Sequence, residues 1–339
     1  MSVVKLLSRI VAPDHQDVKT NLHDHTYGIT SDPLTRFAVV LSGLIHDVDH
    51  QGVPNTTLVN EETTVAASYN NKSVAEQNSI DISWELLMED RFTKLRRHIY
   101  TTESEFYRFR NLVVNTVLAT DLMDKDLKDL RNRRWADAFF DGKNNDGVPR
   151  AITTSSSSSS SNDRVDINRK ATIVIEHLIQ ASDVAHTMQH WKIYRKWNEK
   201  LFEEMYFAWD AKRLGGDPSV QWYENEIKFF DFYVIPLAKK LKECGVFGVS
   251  SDEYLSYAMQ NRKEWEEKGR QVSHEMLNHA KDKLERRKRR EAKKQQEQQE
   301  DDASDSDEES VNDVASPIGK DVTTGSTGGT TDSSSSSAE

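Results

Sequence analysis

The spacing of apolar residues constrains this chain more than any other feature. Leu34, Phe37, Ala38, Leu41, Leu44 and Ile45 recur at intervals of three and four, which draws one helix face, and Asp32-Pro33 supplies an N-cap followed by a first-turn proline. Similar patterns run through 73–88, 104–122, 167–209 and 226–242, while alternating strand-like segments and Asn-Gly hairpin signals are absent. The expected fold is all-α, a compact multi-helix domain, and 339 residues leave ample length for a core.

Two regions depart from this pattern. Residues 141–168 open with DGKNNDG and contain a proline and seven consecutive serines, Ser155 to Ser161, so they are expected to form a flexible surface insertion. Beyond about Glu275 a basic stretch (KLERRKRREAKK) gives way to a Gln-rich run, an acidic run (EDDASDSDEES) and GSTGGTTDSSSSSAE. A domain over 1–275 is therefore expected, followed over 276–339 by a basic helix and an acidic, Ser-rich tail that is disordered past Lys294. The basic stretch fits either a solvated helix end or a patch for import or anionic surfaces.

Composition narrows the functional classes. A net charge of -11 argues against general nucleic-acid binding, which needs a basic footprint. One cysteine, Cys244, permits neither an intramolecular disulfide nor a Cys-rich metal cluster and suits a reducing compartment. No apolar run approaches the roughly 20 residues that span a bilayer, and MSVVKLLSRIVAPDHQ is too short and too weakly apolar for a signal peptide. The chain reads as soluble and intracellular, in the cytoplasm.

The first apolar run ends in LIHDVDHQGVPN, which places His46, Asp47, Asp49 and His50 at the end of a helix. Such groups are costly to bury without a partner. Imidazole nitrogen mixed with carboxylate oxygen suits Zn²⁺ accompanied by Mg²⁺ or Mn²⁺, although a capped, hydrogen-bonded helix end satisfies the same spacing. The i,i+4 histidines resemble a zinc-protease motif, but that motif needs a glutamate where Asp47 stands. Ile175, Ile179 and Asp183 recur every four residues, so a carboxylate occupies the next position of an apolar stripe and, if buried, needs a partner. Asp121 ends the run LVVNTVLAT, and Glu76 lies in NKSVAEQNS. Each of these acids, taken alone, also fits an ordinary structural role.

Taken together the signals have one explanation. HDVDHQGVPN, SVAEQN, VLATD, ASDVAH, W-x-x-Y-R-K-W and EIKFFDFYVIPL, in that order and at these separations, resemble the class I cyclic-nucleotide phosphodiesterases from Met1 to about Gln271, and look most like the unicellular-eukaryote branch. The resemblance implies an all-helical, HD-type domain that hydrolyses cAMP or cGMP to the 5′ nucleoside monophosphate at two divalent metal ions. In it His46, Asp47 and Asp183 match ligands of a zinc-like ion, and Asp47 matches the bridge to a magnesium- or manganese-like ion. His50 matches a residue beside the phosphate, Glu76 and Asp121 match acids that orient water at the metals, and Leu122 stands where methionine is frequent. Phe229 matches a phenylalanine that stacks on the purine, and Glu226 replaces a glutamine that reads its edge. An ionised glutamate only accepts hydrogen bonds, which leans slightly toward guanine; a protonated one could read adenine.

One part of the family pattern lies outside the sequence. The general-acid histidine and a fourth metal ligand belong to an H-N-x-x-H segment just upstream of the equivalent of Met1, and His23-Asp24-His25 is polar and turn-like, a surface loop rather than a substitute. The expectation is a longer protein, with its first helices before Met1 and room there for a membrane tether, or else a remnant with an incomplete site. Loss of a general acid costs about 10² to 10⁴ in rate, so feeble hydrolysis is expected from this chain. The competing readings are an inactive module that keeps the purine pocket and acts through its charged tail, and an HD-type phosphohydrolase of ordinary nucleotides. The segment around Glu226 and Phe229 argues against the latter.

Overall fold

The computed structural model describes residues 2–10, 26–139, 161–248 and 250–311. Its helices are α1 (Ser2–Ser8), α2 (Pro33–Ile45), α3 (Asn55–Asn60), α4 (Thr64–Ser68), α5 (Val74–Met88), α6 (Thr93–Ile99) and α7 (Glu103–Leu118). There follow α8 (Lys125–Phe139), α9 (Ser161–Asp183), α10 (Trp191–Asp210), α11 (Trp222–Phe229), α12 (Ile235–Glu243) and α13 (Ser250–Val311), and no strand occurs among the described residues. The chain divides into two units, Met1–Asp282 and Lys283–Glu339.

Local chemistry sets the helix ends. Asp32 caps α2 by accepting from the Leu34 amide, with Pro33 in the first turn, as expected. At α7 the Thr102 side chain accepts from the Glu105 amide while Glu105 reaches back to the Thr102 amide, a reciprocal capping box. The pattern over 167–209 is two helices rather than one. Between them Ala185–Met188 forms a 3₁₀ turn, His190 Nδ1 accepts from the Lys192 amide to start α10, and Asn261 Nδ2 donates to the carbonyls of Thr187 and Gln189. The pattern over 226–242 is likewise interrupted, by a π turn at Phe230–Val234. Pro236 follows that turn and has no amide proton to donate, so the regular ladder cannot continue through it.

Helix α9 is the centre of the first unit and packs on α1, α2, α7, α8 and α12, while α2 packs broadly on α7 and α7 on α5. Ala38, Ile45, Ile80, Phe109, Val113 and Val117 form one buried cluster between these helices, with Trp84 and Tyr100 against Phe109. Truncating a buried aromatic such as Phe109 to alanine costs about 3 to 5 kcal/mol. A smaller cluster, Val53, Leu58, Ala66 and Val74, fixes the short helices α3 and α4 beneath the turn that follows α2. The stripe Ile175 and Ile179 on α9 is buried as expected.

Two boundaries differ from the sequence expectation. Helix α9 begins at Ser161, so 161–168 are helical; the charged sequence after the serines supports it through an i,i+4 pair, Lys170 Nζ to Asp166 Oδ2 at 2.9 Å. The rest of the expected insertion, 141–160, and the His23-Asp24-His25 segment lie outside the described residues. Helix α13 continues past Lys294 to Val311, through Glu- and Gln-rich sequence of good helix propensity with i,i+4 pairs such as Arg287 with Glu291 and Lys293 with Glu297. Residues 312–339 lie outside the described residues.

Candidate metal centre

Two helix C-termini meet at the site. His46 is the C-cap of α2 and Asp47 the next residue, while Asp183 is the last residue of α9. The carbonyl ends of both helices carry partial negative charge, which favours a cation between them. His46, Asp47 and Asp183 each offer one ligand atom, and these atoms lie within 4.8 Å of one another. His46 Nε2 is 3.1 Å from Asp47 Oδ2 and 3.5 Å from Asp183 Oδ1. Asp183 is not buried: its side chain is 34 % exposed, because the apolar stripe of α9 runs out at the mouth of the site.

The residues fit a metal ion. His46 Nε2 is buried and makes no directed hydrogen bond, an orphan aimed at two carboxylates. His46 Nδ1 faces the Gly43 carbonyl at 3.2 Å, which holds the proton on Nδ1 and leaves the Nε2 lone pair for a ligand. Burial alone would lower the His46 pKa, but the Asp183 and Asp47 carboxylates outweigh it and push it up to about 10. The same contact with His46 lowers Asp47 against its burial, and the charge of His50 adds to this. In the metal-free chain a proton occupies the position that the donor set offers to a cation.

The turn after α2 carries the remaining polar residues outward. Asp49 and Gly52 both have left-handed backbones, φ of 60° and 68°, and a side chain at Gly52 would meet Glu204 Oε1 at 3.1 Å. His50 is exposed on this turn and its Nδ1 accepts from the Gly52 amide at 3.2 Å. Asp49 accepts from Asn78 on α5, and the Ser79 hydroxyl donates to the Val48 carbonyl at 2.7 Å, so α5 fastens the turn.

Glu76 and Asp121 come together through a residue to which the sequence reading gave no role. Asn55 Nδ2 donates to Glu76 Oε2 at 2.9 Å and to Asp121 Oδ2 at 3.5 Å, while Asn55 Oδ1 accepts from the Ala75 amide. Asp121 also accepts from the Ser73 hydroxyl at 2.7 Å and from the amides of Met123 and Asp124. Ser73 has a strained backbone, φ of 39°, at the start of α5. Burial raises the Glu76 pKa, with the Asp121 charge in the same direction and the Asn55 hydrogen bond against it. Glu76 is thus a carboxyl poised to exchange a proton, and Asp121 one pinned in a single orientation.

Glu226 and Phe229 belong to an aromatic box. Glu226 is 8 % exposed, and Tyr194 donates its hydroxyl proton to Glu226 Oε2 at 2.6 Å. Asn198 adjoins the pair and is itself held by the Trp222 indole N–H at 3.1 Å. The Tyr194 ring packs against Phe230 and Trp265 and lies parallel to His186, with ring centres 6.4 Å apart. Burial pushes the Glu226 carboxyl up to about 7 against the lowering effect of Tyr194 and Asn198. Phe229 is half-buried and stacks on Tyr233 at 5.4 Å and 15°. Tyr194 stood in the W-x-x-Y-R-K-W motif, but its tie to Glu226 crosses 32 residues and has no local signal.

Comparison with known proteins gives a consistent result. Residues 16–246 match the family described as 3′5′-cyclic nucleotide phosphodiesterase. A probable 3′,5′-cyclic phosphodiesterase of Caenorhabditis elegans is 28 % identical over 211 residues, which is 60 % of this chain and 27 % of that protein. A dual specificity calcium/calmodulin-dependent 3′,5′-cyclic nucleotide phosphodiesterase of Rattus norvegicus is 24 % identical over 207 residues, 59 % of this chain and 33 % of that protein. The chain thus spans a third or less of the length of these relatives. Among solved structures, the phosphodiesterase domain of the Salpingoeca rosetta rhodopsin phosphodiesterase superposes with a TM-score of 0.55 at 19 % identity, over 82 % of each chain, and shares the fold. Among the described residues no helix is long and apolar enough to cross a membrane.

Proposed function

The chain belongs to the 3′5′-cyclic nucleotide phosphodiesterase family, and from that premise we propose that it hydrolyses 3′,5′-cyclic nucleotides to 5′ nucleoside monophosphates with divalent metal ions at His46, Asp47 and Asp183. The observation that carries this reading is the orphaned His46 Nε2 between two carboxylates at the ends of two helices. The donor chemistry would suit zinc on these three residues, and the resemblance to the family implies a magnesium- or manganese-like ion for which Asp47 would be a ligand. When bound, the ions supply Lewis acidity toward the phosphoryl oxygens and make water nucleophilic near neutral pH.

The chain's own residues do the rest. Asp121, its acceptor positions filled by Ser73, Asn55 and two backbone amides, acts as a fixed negative charge toward which water at the metals would orient. Glu76, raised by burial, takes up a proton as the phosphodiester is attacked. His50, exposed on the turn and close enough to act electrostatically on Asp47 and Glu76, faces the phosphate side. Phe229 offers a ring face to the base, backed by Tyr233.

Glu226 connects the box to base choice. Its pKa near 7 puts both protonation states within reach at neutral pH, with Tyr194 on Oε2 and Asn198 as a further partner of the carboxyl. The ionised form accepts only, which suits the donors of guanine; the protonated form also donates, which suits adenine. The ratio of cGMP to cAMP hydrolysis therefore rises as pH rises through 7, and Glu226→Gln flattens it. A ratio independent of pH in the parent would remove Glu226 from the base-reading role. The test of the whole reading is turnover of both nucleotides by the full chain, with metal content measured in parallel. Metal bound at His46, Asp47 and Asp183 together with chelator-sensitive hydrolysis supports it, whereas nucleotide binding without bound metal or hydrolysis fits a binding module instead.

A further inference from the structure

A cavity with basic side chains in its lining lies between α8 and α12, with a volume of about 160 Å³. Its lining includes Lys128, Arg131 and Lys240 and no acid, in a chain whose net charge is -11. Arg131 is buried, and its Nη2 donates to the Asp121 carbonyl at 2.9 Å, leaving the other donors of its five-proton fork. Lys240 Nζ donates to Asn132 Oδ1 at 2.8 Å, meets His177 Nε2 at 3.2 Å and lies over the Trp135 ring at 5.4 Å, with none of these partners carrying negative charge. His177 is itself neutral, its pKa lowered to about 3 by burial and by Lys240. The acids nearby are engaged elsewhere: Glu176 with Arg134 at 2.7 Å, and the Asp121 carboxylate with Ser73 and two amides.

Three cations thus converge on a cavity with no carboxylate in its lining, although the charges of Glu176, Asp121 and Asp124 reach Arg131 from outside it. Burial, with Arg131 and Lys128 adding to it, lowers Lys240 to about 8 although Glu243 opposes the shift. Tetrahedral oxyanions are the small ligands that satisfy several such donors at once. We propose that this cavity binds a phosphate-class oxyanion through Arg131, Lys128 and Lys240. Phe232, 75 % exposed, stands at its rim with a free ring face. Leu122 in the lining follows Asp121 directly, and Gln180 lies one helical turn before Asp183, so an anion here would sit behind the metal centre rather than in it.

The full chain, stripped of metal by chelator so that the metal centre contributes nothing, is titrated calorimetrically with inorganic phosphate at neutral pH and constant ionic strength. Saturable binding is expected, displaced by sulfate but not by chloride, and weakened about tenfold or more in Lys240→Gln and in the double variant Lys128→Gln, Lys240→Gln. Lys128 is exposed, so Lys128→Gln alone, which leaves the fold intact, is expected to weaken binding to a smaller but measurable degree. Absence of saturable binding in the stripped chain, or affinity unchanged in the double variant, overturns the proposal. A 5′ nucleoside monophosphate serves as a second probe. Tighter binding than phosphate that falls to the phosphate level in Phe232→Ala assigns the oxyanion to a nucleotide, and equal binding assigns it to free phosphate.

Discussion

The ends of α2 and α9 and the box around Glu226 both set polar groups against the apolar interior of this domain, and they treat them in opposite ways. At the ends of α2 and α9, an imidazole nitrogen and two carboxylates crowd within 4.8 Å, with the imidazole proton between them. Around Glu226, a carboxyl is enclosed by Tyr194 and Asn198 and sealed by aromatic rings, and its charge is suppressed instead. The first region keeps its charges and leaves its carboxylates open to water, where a cation can join them. The second neutralises its charge and completes itself. One is arranged to receive an ion, the other to present a rigid hydrogen-bonding edge.

The contrast breaks most visibly at Asp183. Replacing it by alanine removes a ligand whose side chain is already a third exposed, so the fold should survive while metal is lost. Several kcal/mol of transition-state stabilisation depend on the ions, and kcat/KM is expected to fall about 10³-fold or more relative to the parent. Metal analysis of the purified variant checks the cause, since full metal content with full activity would remove Asp183 from the ligand set. The raised pKa of His46 sharpens the same point. Its proton is held up to about pH 10 in the metal-free chain, so metal must displace it, and uptake near pH 7 should release about one proton and strengthen as pH rises. Uptake with no proton release would mean that the ion binds elsewhere.

At Glu226 the expected effect is on stability. The folded carboxyl keeps its proton to about pH 7, whereas the unfolded one loses it near its ordinary value of 4.5. Across that window the folded state binds more protons than the unfolded state, so stability falls as pH rises and levels off above 7, by up to about 3 kcal/mol. Glu226→Gln keeps the acceptor for Tyr194 and has nothing to ionise. Its Tm should therefore gain on that of the parent between about pH 5 and about pH 8. Parallel Tm curves would show that Glu226 ionises in the folded chain without cost.

The two regions were unequally legible in the sequence. His46 and Asp47 are adjacent and end an apolar run, so local pattern placed them at a helix end, whereas it placed Asp183 only on the period-four stripe of a longer helical pattern that the structure ends at that residue. Helical periodicity similarly located α2, α5 and α7. It could not show the break between α9 and α10 or the π turn before Pro236, because those depend on Asn261 reaching across the fold and on a proline within a continuous apolar pattern. Nor did it show that Tyr194 closes on Glu226, since a hydrogen bond between residues far apart in sequence leaves no periodic trace. The exposure of Asp183 was hidden for a related reason: a stripe gives direction along a helix but not where the neighbouring helix stops.

Asn55 lies between the two treatments, a neutral group that holds charged ones, and its effect is expected to be the smallest. Its amide donates to Glu76 and Asp121 while its oxygen caps the Ala75 amide, so one side chain aligns two acids and starts α5. Asn55→Ala leaves Glu76 buried beside Asp121 without its donor, which raises the Glu76 pKa further and costs about 10- to 100-fold in metal affinity or kcat/KM, the usual range for groups that orient a metal site from behind. Asn55→Asp keeps the acceptor for Ala75 but adds a third carboxyl to the pair, so it should restore the helix start and not the activity. If Asn55→Ala lowers Tm while kcat/KM and metal affinity stay at the parent values, Asn55 serves α5 alone. A loss of activity that Asn55→Asp deepens, with Tm recovered, separates the alignment of Glu76 and Asp121 from the folding of the helix that carries one of them.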